Sequence, residues 1–417
     1  MKRTGTTMRR RAAAALGAIL GACLLAACAS SEGGGASAVT VKIGLIGDFS
    51  GVMASSFGGI PSVVNAWAAA ANASGGLNGE KVAVVTEDTG TDANGVTIAK
   101  ELVSDGVAAV IEWPAGGASS NDGTWLPYFE SRDIPVIVTE PPSTAASLKD
   151  PLVFPVSAPG PVEVYAFTAT AQKLGSRLGV AYCSDAPSCG GVASEFRATA
   201  SSLGVTVAAT VSASSAAPDY TSVCEAFKEN KVNSYYLNFA AAAAGRITDT
   251  CAQDGVKVSQ LLTAGTASPD WSSDPAFAGS QVIDNSVPYF DTKIPAVAAY
   301  RAALTKYAPG VAGTALDNAA DLWNWAAGEL IEAAADKSGG QVTSPSLLKG
   351  LYSLKDQTLD GLVQPLNYTK GKPTWLACWF NWTISSANSF AAVNDSNRSC
   401  APQPEVNRLV NALLESG

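Results

Sequence analysis

Val41-Lys42-Ile43-Gly44-Leu45-Ile46-Gly47-Asp48-Phe49-Ser50-Gly51 opens the part of the chain that is able to fold. Its β-branched run, 41–46, is followed by an Ala-rich stretch at 61–73, then by 82–87, 96–104, 108–111, 124–130 and 136–138, which alternate strand-like and helix-like patterns. Short apolar runs separated by helix-length segments are the rhythm of βαβ units. The first helical stretch has Pro61 in its first turn and stops before Ser74-Gly75-Gly76, the expected asymmetry of helix start and stop. Parallel strands need crossover helices, so this alternation predicts a doubly wound, Rossmann-like α/β lobe.

After Phe154-Pro155 the rhythm restarts at 179–182, 191–203, 206–211, 220–229, 235–239, 245–253 and 261–264, which predicts a second lobe of the same kind. Farther on, 295–307 and 316–336 read as helices, and the stripe Leu316, Trp323, Ala327, Leu330 and Ile331 reads as packing core. The five-alanine run 240–244 is helix-forming. Val406, Leu409, Val410, Leu413 and Leu414 make a final helical face that should dock on a lobe. Roughly 380 residues from Val39 onward exceed one typical domain, in keeping with two lobes.

Ahead of this lies a basic start (Lys2, Arg3, Arg9, Arg10, Arg11), an apolar run at 12–25 and the tetrad Leu25-Ala26-Ala27-Cys28. Residues 1–27 thus read as a signal peptide, with an apolar run too short for a permanent span. The small residues before Cys28 fit a lipobox, in which the thiol is lipidated and becomes residue one. An ordinary secretory signal or an uncleaved anchor is the alternative, and Leu20-Gly21-Ala22-Cys23 is a second lipobox candidate with a shorter apolar core. Residues 28–38, rich in Ser, Gly and Ala, suit a flexible linker. The expected place is the extracytoplasmic face of the cell membrane, anchored through Cys28.

Cysteine usage agrees with an oxidising compartment. Of eight cysteines, Cys23 leaves with the peptide and Cys28 takes the lipid, so six remain. Six thiols allow 15 pairings, and clustering makes Cys183–Cys189, Cys224–Cys251 and Cys378–Cys400 the economical set. A zinc site is the rival, though no CxxC pair is present; no metal and no cofactor are expected. Histidine is absent, which removes the commonest general base and metal ligand. Loss of residues 1–27 takes away five positive charges and no negative one, moving the formal charge from −9 to −14, so nucleic acid is not an expected partner.

The quoted opening, together with Asn72-Ala73-Ser74-Gly75-Gly76-Leu77-Asn78-Gly79 and the strand ending Glu87-Asp88, resembles the start of leucine/isoleucine/valine-type solute-binding proteins. Leu102-Val103, Gly106-Val107-Ala108-Ala109-Val110-Ile111 and Ile134-Pro135-Val136-Ile137 are similar to that family's next units, and Gln364-Pro365-Leu366-Asn367-Tyr368 with Lys370-Gly371 to its return crossover. The resemblance covers nearly all of 39–385. It implies two lobes joined by three crossovers, here near 154–161, 286–290 and 362–366, that close on a small solute and deliver it to an ABC permease. The implied division is 39–155 with 289–363 for lobe 1, and 156–288 with 364–417 for lobe 2, in a monomer.

In such a cleft, strand C-termini and helix N-termini meet and offer backbone N–H groups suited to a carboxylate. Lobe 1 should contribute the loops 50–57, 113–119 and 139–144, with Ser55, Phe57, Trp113, Ala115, Gly116, Gly117, Ser119, Pro141, Ser143 and Thr144 as candidate ligand contacts. Phe57 resembles the family's ligand-covering aromatic, and Ser143 and Thr144 its second hydroxyl grip; a core role for Phe57 and a helix cap at Thr144 are the plainer readings. Glycines at 116 and 117 let backbone approach a ligand. The family often has a hydroxyl where Gly116 stands and an acid near Gly265 for the ammonium, and neither is found here. From lobe 2 the candidates are Cys189 and Gly190 within 188–191, Asn238, Phe239, Thr266 beside Gly265, and the crossover residue Tyr289.

Glu112, Trp113 and Glu140 are unusual pocket-edge residues, which leaves an amino acid, an amide or an aromatic or organic acid open as the solute. Capture for an importer is the leading expectation. A ligand-sensing subunit signalling to a membrane partner is the second, and an extracytoplasmic enzyme the third. The third is opposed by the absence of a Gly-x-Ser-x-Gly elbow, a P-loop and a strand-borne Gly-x-Gly-x-x-Gly fingerprint.

Overall fold

The computed structural model describes residues 40–90, 95–113, 122–185, 189–385 and 389–416. The first lobe runs β1 (Thr40–Gly47), α1 (Ala54–Phe57), α2 (Ile60–Ala73), β2 (Lys81–Asp88), α3 (Gly95–Ser104), β3 (Ala109–Trp113), α4 (Asp122–Glu130), β4 (Val136–Val138), α5 (Ala145–Lys149) and β5 (Val153–Pro155). Its five strands lie in the order β2-β1-β3-β4-β5, all parallel. Burial on both faces explains the unbroken apolar runs: Ile43, Leu45, Val110 and Ile111 are fully enclosed.

The second lobe follows with α6 (Gly160–Lys173), β6 (Arg177–Cys183), α7 (Val192–Ala200), β7 (Thr206–Ala213), α8 (Thr221–Glu229), β8 (Ser234–Asn238), α9 (Ala241–Gln253), β9 (Ser259–Thr263) and β10 (Gln281–Asp284). Here β7-β6-β8-β9-β10 form a parallel sheet. The chain then enters α10 (Pro295–Tyr307), α11 (Ala319–Ser338) and α12 (Ser344–Ser353). Both α10 and α11 pack on α2, and α11 also meets β3. It re-enters the second sheet as β11 (Cys378–Ser385), β12 (Ser389–Ala392) and β13 (Ser399–Cys400), all antiparallel to their neighbours. The closing helix α13 (Gln403–Ser416) packs against α6 and α5.

That antiparallel edge was not anticipated by the βαβ rhythm. Its sequence, Trp379-Phe380-Asn381-Trp382-Thr383-Ile384, buries Trp382 and Ile384 on one face with Phe380, while Asn381 and Thr383 are half-exposed, the alternation expected of a half-covered strand. Three disulfides brace the second lobe: Cys183–Cys189 ties the end of β6 to the approach to α7, Cys224–Cys251 links α8 to α9, and Cys378–Cys400 joins β11 to β13.

Two close approaches set the first lobe. In the turn Gly75-Gly76-Leu77-Asn78-Gly79, Gly76 has φ +77° and a Cβ there would lie 2.0 Å from the Glu80 carbonyl oxygen, so only glycine fits. Between α2 and α11, the indole of Trp67 lies over Gly328, where a Cβ would stand 2.3 Å from the ring. The same indole donates its N–H to Glu332 Oε1 at 2.7 Å, one helical turn along α11.

At the end of β10, Asp284 is fully buried. Its carboxylate accepts from Trp323 Nε1 of α11 at 2.8 Å, from Trp382 Nε1 of β11 at 2.9 Å, and from the Ser286 backbone N–H at 3.1 Å. Burial pushes this carboxyl up to about 6 even though these hydrogen bonds oppose the shift.

Gly328→Ala is expected to cost about 1–3 kcal/mol in urea unfolding, because the indole of Trp67 has to move and overpacking of a core costs that much. Asp284 also makes a pH-dependent contribution. A folded pKa raised above the unfolded value gives stability that is present below about 4 and is lost as pH rises through about 6. Relative to wild type, Asp284→Asn should therefore gain on the order of 2–3 kcal/mol between pH 4 and pH 7, read as the pH-dependent part of the stability difference between the two proteins.

Candidate functional site

The C-terminal ends of β3, β4, β6, β8 and β9 face one another across the two lobes, and between them lies a cavity of about 400 Å³. That volume suits a small organic molecule. The first lobe supplies Glu112 and Trp113 from the end of β3, Glu140, Pro141, Pro142, Ser143 and Thr144 from the loop after β4, and Phe57 from α1. From the second come Gly160, Glu163 and Phe167 of α6, Glu195 of α7, Asn238 and Phe239 after β8, and Thr266 after β9. Trp323 of α11 forms part of the wall.

Aromatic rings form part of the wall. Phe57 and Trp113 are centred 4.6 Å apart, and Trp113 stacks on Trp323 at 5.8 Å with 30° between planes. The Trp323 ring can lie this deep because Gly265 faces it; a Cβ there would fall 2.8 Å from the indole. Trp323 had been read as core alone. It is indeed 1% exposed, yet its ring also forms cavity wall, a double role invisible in a helical stripe.

Carboxyls line the cavity too. Glu140 lines it from the first lobe and Glu163 from the second. Burial raises Glu140 well above the usual carboxylate range, with the charges of Glu163, Asp48 and Glu112 adding to the effect. Glu163 is pushed up to about 7 by burial, with Glu195 and Asp284 adding and a 3.1 Å hydrogen bond from Thr263 Oγ1 opposing. Glu195 is pushed up to about 7 by burial. Burial drives the pKa of the Tyr236 hydroxyl well upward, and the charges of Glu163, Glu195 and Glu140 add to it. No lysine or arginine lines the cavity among the described residues.

The helix N-termini expected to receive an anion thus have an acid of their own. Glu163 sits in the first turn of α6 and Glu195 in the first turn of α7, where a helix dipole favours negative charge. Neither was singled out by sequence. A signal was available for Glu163, an acid spaced four residues from Phe167 on a helix whose other early positions are apolar.

Of the residues expected from sequence, Phe57, Trp113, Pro141, Ser143, Thr144, Cys189, Asn238, Phe239 and Thr266 line the cavity. Thr144 has a second task, because its Oγ1 accepts from the Ser147 backbone N–H at 3.2 Å and caps α5. Gly190 lies off the wall, between Cys189 and Gly191 which are on it. Tyr289 lines a separate shallow depression with Phe290, Arg301 and Phe390; its ring belongs to an aromatic cluster with Trp382. Ala115, Gly116, Gly117, Ser119 and Cys28 lie outside the described residues.

Ser55 is not on the wall; it spans the cleft. The Ala242 backbone N–H donates to Ser55 Oγ at 3.3 Å, and the Ala241 N–H to Ser56 Oγ at 2.9 Å. These are the first two residues of α9, whose own N-cap, Ala240, has no side chain to offer. One lobe therefore caps a helix of the other. Asn318 Nδ2 holds the Ser56 carbonyl oxygen at 2.7 Å and fixes the turn that presents these hydroxyls.

Comparison with known proteins agrees with this architecture. A substrate-binding protein of an ABC transporter from Aeropyrum pernix superposes with a TM-score of 0.74 at 16% identity, over 91% of this chain and 100% of that one. A fatty acid ABC transporter substrate-binding protein from Thermomonospora curvata gives 0.70 at 18%, over 89% and 94%. A solute-binding protein from R. palustris in complex with 4-hydroxybenzoate gives 0.67 at 18%, over 85% and 95%. No match was found among curated proteins. The periplasmic binding protein family matches residues 40–380, and with two parallel-sheet lobes meeting at a strand-end cleft, this chain belongs to that family.

Proposed function

We propose that this protein is the extracytoplasmic, lipid-anchored solute receptor of an ABC importer, holding one small molecule between its lobes without turning it over. The observation that carries this reading is that both lobes wall a single cavity while touching each other directly through Ser55, Ser56 and the start of α9. Affinity arithmetic favours a two-lobed grip. Micromolar binding is about −8 kcal/mol, whereas burying on the order of 100 Å² of apolar ligand at ~25 cal/mol/Å² gives only about 2.5. Polar groups of both lobes supply the rest, and a ligand touching both favours the closed form by its differential affinity for it.

The division of the chain follows the same logic. We assign 39–155 with 289–363 to lobe 1 and 156–288 with 364–417 to lobe 2, so that the ligand is enclosed when segments near 154–161, 286–290 and 362–366 bend. The candidate contacts Ala115, Gly116, Gly117 and Ser119 follow Trp113 in the sequence and lie outside the described residues. The Leu25-Ala26-Ala27-Cys28 tetrad supports cleavage before Cys28 and lipidation of its thiol. A Ser-, Gly- and Ala-rich stretch at 29–38 follows the anchor, a composition suited to a tether that keeps the lobes beside the permease.

Two results test this. The small molecule released from natively purified, denatured protein should rebind stoichiometrically and unchanged, and chemical conversion of it would place the protein in another class. Ser56→Ala should weaken that rebinding about fivefold, since loss of a helix cap costs about 1 kcal/mol and falls on the closed form alone; equal affinity would show that the cross-cleft cap contributes nothing. For the anchor, Cys28→Ser should move the protein from the membrane fraction to the soluble one, and continued sedimentation with membranes would refute lipidation at that thiol.

A further inference from the structure

We propose that the solute is an organic cation bearing N–H donors, an ammonium or guanidinium compound, and that its charge is what draws the two lobes together. The inference rests on the solute-receptor reading and names its ligand class. Glu140 belongs to the loop after β4 of the first lobe, and Glu163 and Glu195 to the first turns of α6 and α7 of the second. All three line the cavity and are half-buried. Glu140 Oε2 is buried and has no hydrogen-bond partner among the described residues. An acid with an unsatisfied buried oxygen calls for a donor.

The aromatic wall residues suit the same guest. Trp113, Phe57 and Trp323 present ring surfaces to the cavity, and an organic cation over an indole gains cation–π attraction. The Trp113 indole, 1% exposed, has an Nε1–H without a partner among the described residues, so one acceptor atom on the guest is also accommodated. A bare metal ion fits poorly. Among the described residues no group of three or more His, Cys, Asp or Glu is placed to hold one. No basic residue lines the cavity among the described residues. An anionic solute would meet carboxyls with nothing to neutralise it.

Charge also accounts for closure. Acids held on opposite lobes repel when ionised, and the repulsion between Glu140 and Glu163 grows as the lobes approach. Protons relieve it in the empty cleft, and a bound cation reverses it. Glu163 faces Thr263, Glu195 and Asp284, Glu140 faces Glu163, Asp48 and Glu112, and neither has a cation among the groups acting on it. Binding a cation therefore expels a proton. For one carboxyl titrating at about 7, affinity should rise about tenfold from pH 6 to pH 8.

The test uses the mature protein, stripped of ligand by unfolding and refolding, with isothermal calorimetry of 4-hydroxybenzylamine, agmatine and 4-hydroxybenzoate at pH 6 and pH 8. The amine and the acid share ring and hydroxyl and differ in charge. Expected is binding of at least one cation, at least tenfold tighter than the acid and tighter at pH 8 than at pH 6, with a basic nitrogen compound released from natively purified protein. Glu163→Gln and Glu140→Gln should each weaken that cation tenfold or more and leave the acid unchanged or stronger. Preference for 4-hydroxybenzoate, or native release of a carboxylic acid or neutral molecule, would overturn the cation proposal and leave solute capture standing. Failure of every probe with no small molecule released would remove both.

Discussion

A single buried carboxylate holds the junction of the lobes. Asp284 ends the last parallel strand of the second sheet, where the chain departs for α10, and it accepts from an indole of each flanking structure, Trp323 on α11 and Trp382 on β11. The desolvation penalty of such a group is severe, and four hydrogen bonds are what make it tolerable. The arrangement fixes the ring of Trp323, whose other side forms cavity wall against Gly265 and Trp113. The shape of the binding cavity thus depends on a polar contact that no solute touches.

Much of the parallel architecture was legible because it is local. Strands 41–46, 82–87 and 108–111 announce themselves by short runs rich in apolar and β-branched residues, and the helix from Pro61 by its start and stop signals. The β11–β13 edge was not, because β11 joins the sheet through residues about a hundred positions away, as in Val282 with Trp382, and period-two alternation over a few residues is a weak signal beside helices and strands of stronger pattern. In the site, cavity-lining positions such as Phe57, Ser143 and Asn238 were legible from their place at or just beyond strand ends. Glu163 and Glu195 escaped because an acid in a first turn is ordinarily a helix-dipole partner facing water, and only the tertiary structure turns these two inward. Tyr289 shows the reverse error of reach: it lies at a crossover yet packs among Phe290, Trp382 and Phe390, away from the cavity.

The cleft differs in kind from one built for carboxylates. Where helix N-termini could have offered bare N–H groups, α6 and α7 present their own acids, so the dipoles stabilise protein charge instead of ligand charge. The aromatic walls supply area and the acids supply sign. Neither alone would select a solute: apolar surface discriminates by size, whereas a desolvated carboxyl discriminates by whether its partner can donate.

The hydroxyls of Ser55 and Ser56 make closure a matter of time as well as of affinity. Because α9 has no capping side chain of its own, each opening of the cleft strips two backbone N–H groups of their acceptors until water arrives. In the proposed receptor each opening would cost these two hydrogen bonds, which lengthens the residence time of a captured molecule. A permease that pulled the first lobe away from the start of α9 would accelerate release without touching the solute at all.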